Sequence, residues 1–236
     1  MLDERSTGDA IAAARPPLAV LGIGAIEQHS HHLPVGTDWI AVDEISRRVA
    51  VEMDALLLPA IPFSMSECHG PMGGTVWLKP ATLSAVLRDI AVAVREQGIH
   101  KLLVLNGHGG NFVLEPAIQA LNQEFPDLHV IMPMEVWATV EGQAPIFDTA
   151  DREIHAGESE TSTQLYLNPD HVQPERVDYV PPVGREFLDY AFMNQISPEG
   201  MWGSSSYGNA AKGERAIAAQ VRAIVAFAQR AFEVLE

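Results

Sequence analysis

The sequence has little cysteine, few basic residues and no long apolar run. Cys68 is the single cysteine among 236 residues, so an intramolecular disulfide and a thiolate zinc site are both excluded. The 15 Lys and Arg residues are outnumbered by 31 Asp and Glu residues, for a formal net charge of −16. This balance argues against nucleic acid or an anionic membrane as a partner. With neither a membrane-length apolar run nor a signal-peptide pattern in residues 1–15, we expect a cytoplasmic protein.

The sequence does contain a regular alternation of strand and helix patterns. Short apolar runs are followed by longer segments in which apolar residues recur three or four positions apart. Strands are predicted at 18–23, 56–62, 101–105 and 129–133, and helices at 38–53, 81–98, 112–125, 155–168 and from 209 onward. Such alternation predicts an α/β fold of three layers, with a mostly parallel central sheet flanked by helices.

The length and composition predict one domain that spans residues 1–236. Hydrophobic residues make up 47% of the chain, enough for one well-filled core. Residues 1–15 are expected to form a loose lead-in. Residues 169–208 are rich in Pro, Gly and Ser and are expected to form a long loop region, which suggests a role in function or subunit contact.

Polar side chains follow two of the predicted strands. Glu27 and His29 come after the first strand, Asp38 begins the next helix, and His108 follows the third strand on a glycine-flanked loop. Sites of parallel α/β sheets lie beyond the carboxyl ends of the strands, so these side chains are expected to converge. Carboxylate and imidazole together suit zinc, manganese or iron, and a shared carboxylate such as Asp38 allows two ions. The alternative is a hydrogen-bonded, solvated loop.

Four ordered segments resemble the creatininase (creatinine amidohydrolase) family. They are Glu-Gln-His at 27–29 with Leu-Pro-Val-Gly-Thr-Asp at 33–38, Ser-Glu-Cys-His at 66–69 with Gly-Thr at 74–75, Asn-Gly-His-Gly-Gly-Asn at 106–111, and His-Ala-Gly-Glu-Ser-Glu-Thr-Ser at 155–162. The resemblance implies a creatininase-type α/β fold, a two-metal site, and hydrolysis of a C–N bond in a cyclic amide or formamide. It also implies a small-molecule substrate and a homo-oligomer, often a hexamer.

The same resemblance implies the ligands of the two divalent ions. Glu27, Asp38 and His108 would hold one ion, and His29 with Asp38 the other. Creatinine-cleaving members carry a Tyr and a ligand Glu where this chain has Gly109 and Gly110, so creatinine is not the expected substrate. Glu160 is the expected replacement ligand, with Glu158 as second choice. The alternative for Glu160 is a structural hydrogen bond to the His108 loop.

The remaining expectations concern the reaction. His155 is expected to carry a proton to the leaving nitrogen, the alternative being that it only caps its helix. Ser66 and Gly109 are the expected substrate contacts, and Cys68 is expected to be a small buried residue rather than a nucleophile.

Several functions stay open at this point. The Gly-Gly form of the third segment resembles a formamide-cleaving enzyme of flavin and deazaflavin biosynthesis. It also resembles a peptide-trimming hydrolase of mycofactocin maturation. An amidohydrolase is the leading hypothesis, followed by a non-catalytic metal-binding or assembly member of the fold. A metal-dependent phosphoesterase or isomerase ranks last, because no phosphate-binding loop is visible beyond the glycine-rich residues 107–110.

Overall fold

The structure is a computed structural model that describes residues 1–133 and 146–235. The strands are β1 Ala19–Ile23, β2 Leu56–Ile61, β3 Lys101–Asn106, β4 His129–Ile131, β5 Asp178–Tyr179 and β6 Gly203–Ser204. The helices are α1 Gly8–Ala14, α2 Thr37–Glu52, α3 Pro80–Glu96, α4 Leu114–Glu124, α5 Glu158–Leu167, α6 Met193–Ile196 and α7 Ala210–Leu235.

The central sheet is parallel and has the strand order β2-β1-β3-β4. Every residue of β1 is buried, as expected for an inner strand covered on both faces. Ala19 pairs with Leu102 and Ile23 pairs with Asn106, so β1 and β3 end at the same edge. The loops that follow these two strands therefore emerge side by side.

Successive residues of β3 point to opposite faces of the sheet and enter separate cores. Leu103 and Leu105 pack on one face with apolar residues of α2 and α7. Leu102 and Val104 pack on the other face with residues of α3 and α4. Helices thus cover both faces, and the predicted three-layer α/β fold with a parallel sheet is confirmed.

The expectation of a loose lead-in over residues 1–15 is wrong. Residues Gly8–Ala14 form α1, whose N-cap Thr7 accepts a hydrogen bond from the amide of Ala10 at 3.3 Å. Leu2 pairs with Leu56, and its carbonyl accepts the amide of Leu57 at 2.9 Å, which extends the edge of β2. The helix buries no residue, so the sequence carries no apolar periodicity that would reveal it.

Residues 169–208 contain only short elements. They hold the two-stranded antiparallel ribbon β5–β6, the four-residue α6 and three short 3-10 turns. Just before β6, Trp202 exchanges backbone hydrogen bonds with His155, which ties this region to the start of α5. Across the described ranges, the helices include none with the length and apolar character required to cross a membrane.

Candidate metal centre

The four side chains expected after β1 and β3 lie together in the structure. The loop after β1 carries Glu27 and His29, the first turn of α2 carries Asp38, and the loop after β3 carries His108. All four are buried. Nε2 of His29 lies 3.4 Å from Oδ1 of Asp38, and Nδ1 of His108 lies 3.0 Å from Oδ2 of the same carboxylate. Asp38 therefore stands between the two histidines.

Two groups of potential ligand atoms share this carboxylate. Glu27, Asp38 and His108 form one, and His29, Asp38 and Glu160 form the other, with the ligand atoms of each within 4.8 Å of one another. These groups match the two sets that the motifs imply, with Glu160 added to the second. A third combination joins Glu27, His29 and His155. Carboxylate and imidazole donors of this kind suit zinc, manganese or iron.

Each of three histidine rings is oriented by one backbone carbonyl. The Glu27 carbonyl lies 3.0 Å from Nδ1 of His29. The Met65 carbonyl lies 2.8 Å from Nε2 of His108, and the Gln28 carbonyl lies 2.7 Å from Nε2 of His155. Because a carbonyl can only accept, the ring nitrogen beside it carries the proton of the neutral ring, and the other nitrogen is the one that can take a cation or a second proton. In each ring that free nitrogen faces a carboxylate, at 3.0 to 3.4 Å. This is how protein side chains are usually prepared for metal ligation.

Unpartnered buried atoms identify the same place. Oε2 of Glu27, Nε2 of His29 and Oδ2 of Asp38 are buried and make no hydrogen bond within the part of the chain that the structure describes. A buried polar atom left without a partner costs about 1–3 kcal/mol. All three belong to the two ligand groups that share Asp38, and cations bound by those groups would explain them. The residues therefore fit a metal centre.

The pKa shifts of the buried carboxylates and histidines indicate that this site favours bound positive charge. Burial raises the pKa of Glu27 to about 7, although His108 opposes this shift. Burial also opposes ionisation of Asp38, yet His29 and His108 hold its pKa well below the usual range. Burial lowers the pKa of His108, but Glu27 and Asp38 outweigh it and raise the pKa to about 9. Without a cation, protons on the histidines balance the carboxylates, so metal and protons compete for these sites.

The structure separates the two glutamates of α5. Oε2 of Glu160 lies 3.7 Å from Nε2 of His29 and accepts the amide of Ala156 at 2.5 Å, not a bond from the His108 loop. Glu158 instead accepts both the amide and the hydroxyl of Thr149 at 2.8 Å and forms an ion pair with Lys212. Of the two, Glu160 alone joins a candidate ligand group within the described residues.

The other expected site residues have distinct positions. His155 is buried at the centre, with Nδ1 3.4 Å from Oε1 of Glu27, and the N-cap of α5 is Gly157, so His155 does not cap that helix. Gly109 lines the adjoining cavity, and its contact with substrate stays a prediction. Ser66 is fully buried beside Glu27 and is not among the lining residues. Contact between Ser66 and substrate stays a prediction, with its side chain buried beside Glu27.

Sequence reasoning missed the roles of Gln28 and His69. The Gln28 side-chain oxygen accepts the amide of Ser30 at 2.9 Å, which directs its NH2 group toward Nδ1 of His69 at 2.8 Å. Nε2 of His69 therefore carries the proton and lies 3.8 Å from Oε1 of Glu27. The signal was the Ser-x-x-His spacing of 66–69, but no periodicity shows where the 3-10 turn Glu67–His69 lies.

A cavity of about 1010 Å³ opens directly from this group. Glu27, His108, His155 and Glu160 are among the residues that line it. Seven further lining residues lie between positions 185 and 195, within the region predicted as long loop. The volume is at the upper end of the ~300–1,000 Å³ typical of ligand sites. Potential metal ligands and substrate space are thus contiguous.

The fold and the site define an α/β enzyme with a candidate metal centre at the carboxyl ends of its strands. The family model for creatininase (creatinine amidohydrolase) matches residues 4–228, and the chain belongs to this family. The predicted resemblance is confirmed. The protein is an amidohydrolase, a hydrolase acting on carbon–nitrogen bonds.

Individual relatives agree with this assignment. A creatinine amidohydrolase of Pseudomonas putida is 31% identical over 192 residues, covering 74% of this chain and 73% of the relative. A mycofactocin precursor peptide peptidase of Mycobacterium tuberculosis is 30% identical over 226 residues, covering 87% and 82%. A solved structure described as creatininase Mn superposes with a TM-score of 0.84 at 25% identity and covers 98% of both chains.

Proposed function

We propose that the protein binds two divalent ions and hydrolyses the C–N bond of a cyclic amide, a formamide or a related amide. The observation that carries the proposal is the position of Asp38, whose two carboxylate oxygens face His29 and His108 separately. A carboxylate in this position can bridge two ions. The buried, unpartnered atoms around it support the same reading.

The residues would divide between the ions as the two geometric groups suggest. Glu27, Asp38 and His108 would hold one ion, and His29, Asp38 and Glu160 the other. Bound zinc, manganese or iron supplies Lewis acidity for the substrate carbonyl and lowers the pKa of water toward neutrality. The protein contributes the fixed ring orientations and the cavity that positions the amide.

His155 is proposed as the group that moves the proton. Burial, followed by repulsion from His29 and His69, lowers its pKa well below the usual range, so the ring is neutral at pH 7. Its Nε2–H is held by the Gln28 carbonyl, which leaves Nδ1 free to accept a proton from the attacking water. The same nitrogen can then give the proton to the leaving nitrogen.

The glycines after His108 support the proposal that Glu160 replaces the glutamate ligand that creatinine-cleaving members carry at the position of Gly110. A Cβ atom on Gly110 would lie 2.4 Å from Nε2 of His108 and 2.6 Å from the Met65 carbonyl oxygen, so this backbone leaves no room for a side chain. A carboxylate from Glu160 instead approaches His29. Creatinine is accordingly not the proposed substrate.

A second candidate function is the trimming of a peptide in cofactor maturation. It is favoured by the similarity to the mycofactocin precursor peptide peptidase over 87% of this chain. The cavity of about 1010 Å³ also has space for the end of a peptide. A cytoplasmic location and a homo-oligomer, up to a hexamer, remain predictions from the sequence.

The deciding experiment measures metal per chain and turnover together. Purified wild type and Glu160→Ala would be reconstituted with zinc, manganese or iron, analysed for metal, and assayed on formamides, cyclic amides and short peptides. We expect about two ions per wild-type chain, about one in the variant, and turnover that chelation removes. Wild type that binds no metal after reconstitution, or whose turnover survives chelation, would overturn the proposal.

A further inference from the structure

Among the described residues, Arg185 is the one Lys or Arg that lines the cavity. It shares the wall with the acidic residues Glu27, Glu67, Glu160 and Asp189. Within residues 1–133 and 146–235 no carboxylate lies within ion-pair distance of its guanidinium, although acidic residues outnumber basic ones two to one. Glu67, for example, pairs with Lys79 at 2.5 Å. An arginine without an ion pair in so acidic a protein has its charge available for a ligand.

The guanidinium is held beside the candidate metal centre. Its Nη2 donates to the carbonyl of Gly109 at 2.9 Å, and Gly109 directly follows the potential ligand His108. An arginine carries five N–H donors in a rigid fork, so one bond to a carbonyl leaves most of them for a carboxylate or a phosphate. A Cβ atom on Gly109 would lie 3.6 Å from Nη2, so the glycine also leaves open space next to the fork.

Aromatic side chains surround the same opening. Phe112, Tyr190 and Phe192 line the cavity and are 71%, 83% and 44% exposed. Exposed aromatic residues that gather at one cavity are typical of a binding surface rather than of ordinary protein surface. They offer contact for an apolar body larger than a small heterocycle, in agreement with the cavity volume.

We propose that Arg185 determines specificity by binding an anionic group of the substrate, a carboxylate or a phosphate. The apolar part of that substrate lies against Phe112, Tyr190 and Phe192, and the scissile C–N bond lies beside His108 and His155. The substrate class is therefore an anionic amide or formamide with an apolar body. This inference rests on the proposed amidohydrolase function.

The test compares matched charged and neutral probes by calorimetry on the metal-loaded full chain. The probes are N-formyl-L-phenylalanine against N-formyl-L-phenylalaninamide, and O-phospho-N-formylethanolamine against N-formylethanolamine. Wild type is expected to bind one anionic member at least ~10-fold more tightly than its neutral partner. Arg185→Gln should lose that preference and Arg185→Lys should keep part of it, because lysine retains the charge without the fork. Which pair shows the preference distinguishes carboxylate from phosphate.

Two controls separate the inference from simpler effects. Arg230→Gln changes net charge equally on the exposed side of α7, outside the cavity, and should leave the preference unchanged. A preference that survives in Arg185→Gln would mean that the anion binds the metal centre directly, and would overturn the inference. Failure of wild type to prefer, or to bind, either anionic probe would overturn it as well.

Turnover and metal content are measured in parallel so that the two proposals fail separately. If the neutral formamides are hydrolysed with metal present but Arg185→Gln retains the wild-type preference, the inference is wrong and the proposed function stands. If anion binding depends on Arg185 while none of the amides is cleaved, the proposed function is wrong and Arg185 marks an anion site alone.

Discussion

Nδ1 of His108 lies 3.0 Å from Oδ2 of Asp38, in a contact that lacks hydrogen-bond geometry. The Met65 carbonyl holds the proton of the neutral ring on the opposite nitrogen, so in that form two electron-rich atoms would face each other in a buried place. Such a contact is unfavourable unless a proton or a cation lies between them. A metal ion bound between His108 and Asp38 would relieve this contact.

Asp38→Ala is expected to remove both ions, because this carboxylate belongs to both ligand groups. Metal content should fall to near zero, and turnover of any amide that wild type cleaves should fall more than ~100-fold. Asp43→Ala is the matched control, since Asp43 lies on the same helix and pairs with Arg47 at 3.6 Å, away from the ligand groups. Full metal content in Asp38→Ala would contradict the two-ion arrangement.

Gly110→Ala should damage the centre without changing any ligand. The added methyl would meet His108 Nε2 at 2.4 Å and break its bond to the Met65 carbonyl. We expect a loss of about 1–3 kcal/mol in the free energy of unfolding and weaker metal binding. Gly109→Ala should behave like wild type in both measurements, because its methyl meets Arg185 at an ordinary 3.6 Å. Equal effects of the two substitutions would show that His108 moves freely.

His155→Ala should retain the bound metal but hydrolyse the amide substrate much more slowly than wild type. His155 lies in neither of the two groups assigned to the ions, and general acid–base groups contribute ~10²–10⁴-fold to a rate. Elemental analysis and steady-state turnover on the same preparation test this. Loss of metal in His155→Ala would instead identify the third combination, with Glu27 and His29, as a ligand set.

Lys212→Ala should destabilise the fold through Glu158. The Glu158 side chain is fully buried, and without Lys212 its charge would be left without an ion-pair partner, at a cost of about 3 kcal/mol in the free energy of unfolding. Arg88→Ala removes an exposed pair with Glu124 and should cost at most about 1 kcal/mol. Chemical denaturation at pH 7 compares the two variants.

The stability that the Glu158–Lys212 ion pair contributes should depend on pH in a definite direction. Burial favours the neutral form of Glu158, but Lys212 and Thr149 outweigh it and lower its pKa from the ordinary 4.5. Its contribution to stability is therefore present above pH 4.5 and is lost as pH falls through the lowered pKa. In Lys212→Ala the hydrogen bonds from Thr149 remain but the ion pair is gone, so the loss of stability on acidification should be smaller in that variant. A pH series of denaturation curves that shows the same slope for both proteins would contradict this.

Strand and helix positions followed from the sequence because they depend on local periodicity. Strand β3, predicted at 101–105, is observed as Lys101–Asn106, and α3, predicted at 81–98, is observed as Pro80–Glu96. The short α1 was missed because it lies on the surface and buries no side chain. Apolar spacing reveals only those elements that contribute a face to the core.

The sequence alone determined the fold class and where the polar clusters would meet. Strands that alternate with helices form a parallel sheet, and the carboxyl ends of such strands share one edge, so Glu27, Asp38 and His108 had to lie close together. Only the tertiary structure decided between Glu160 and Glu158, which are two residues apart in one helix. That choice depends on Lys212, which is distant in the chain and forms an ion pair with Glu158, whereas Glu160 approaches His29. The orientation of the histidine rings and the exposure of the cavity residues likewise depend on contacts between residues far apart in the chain.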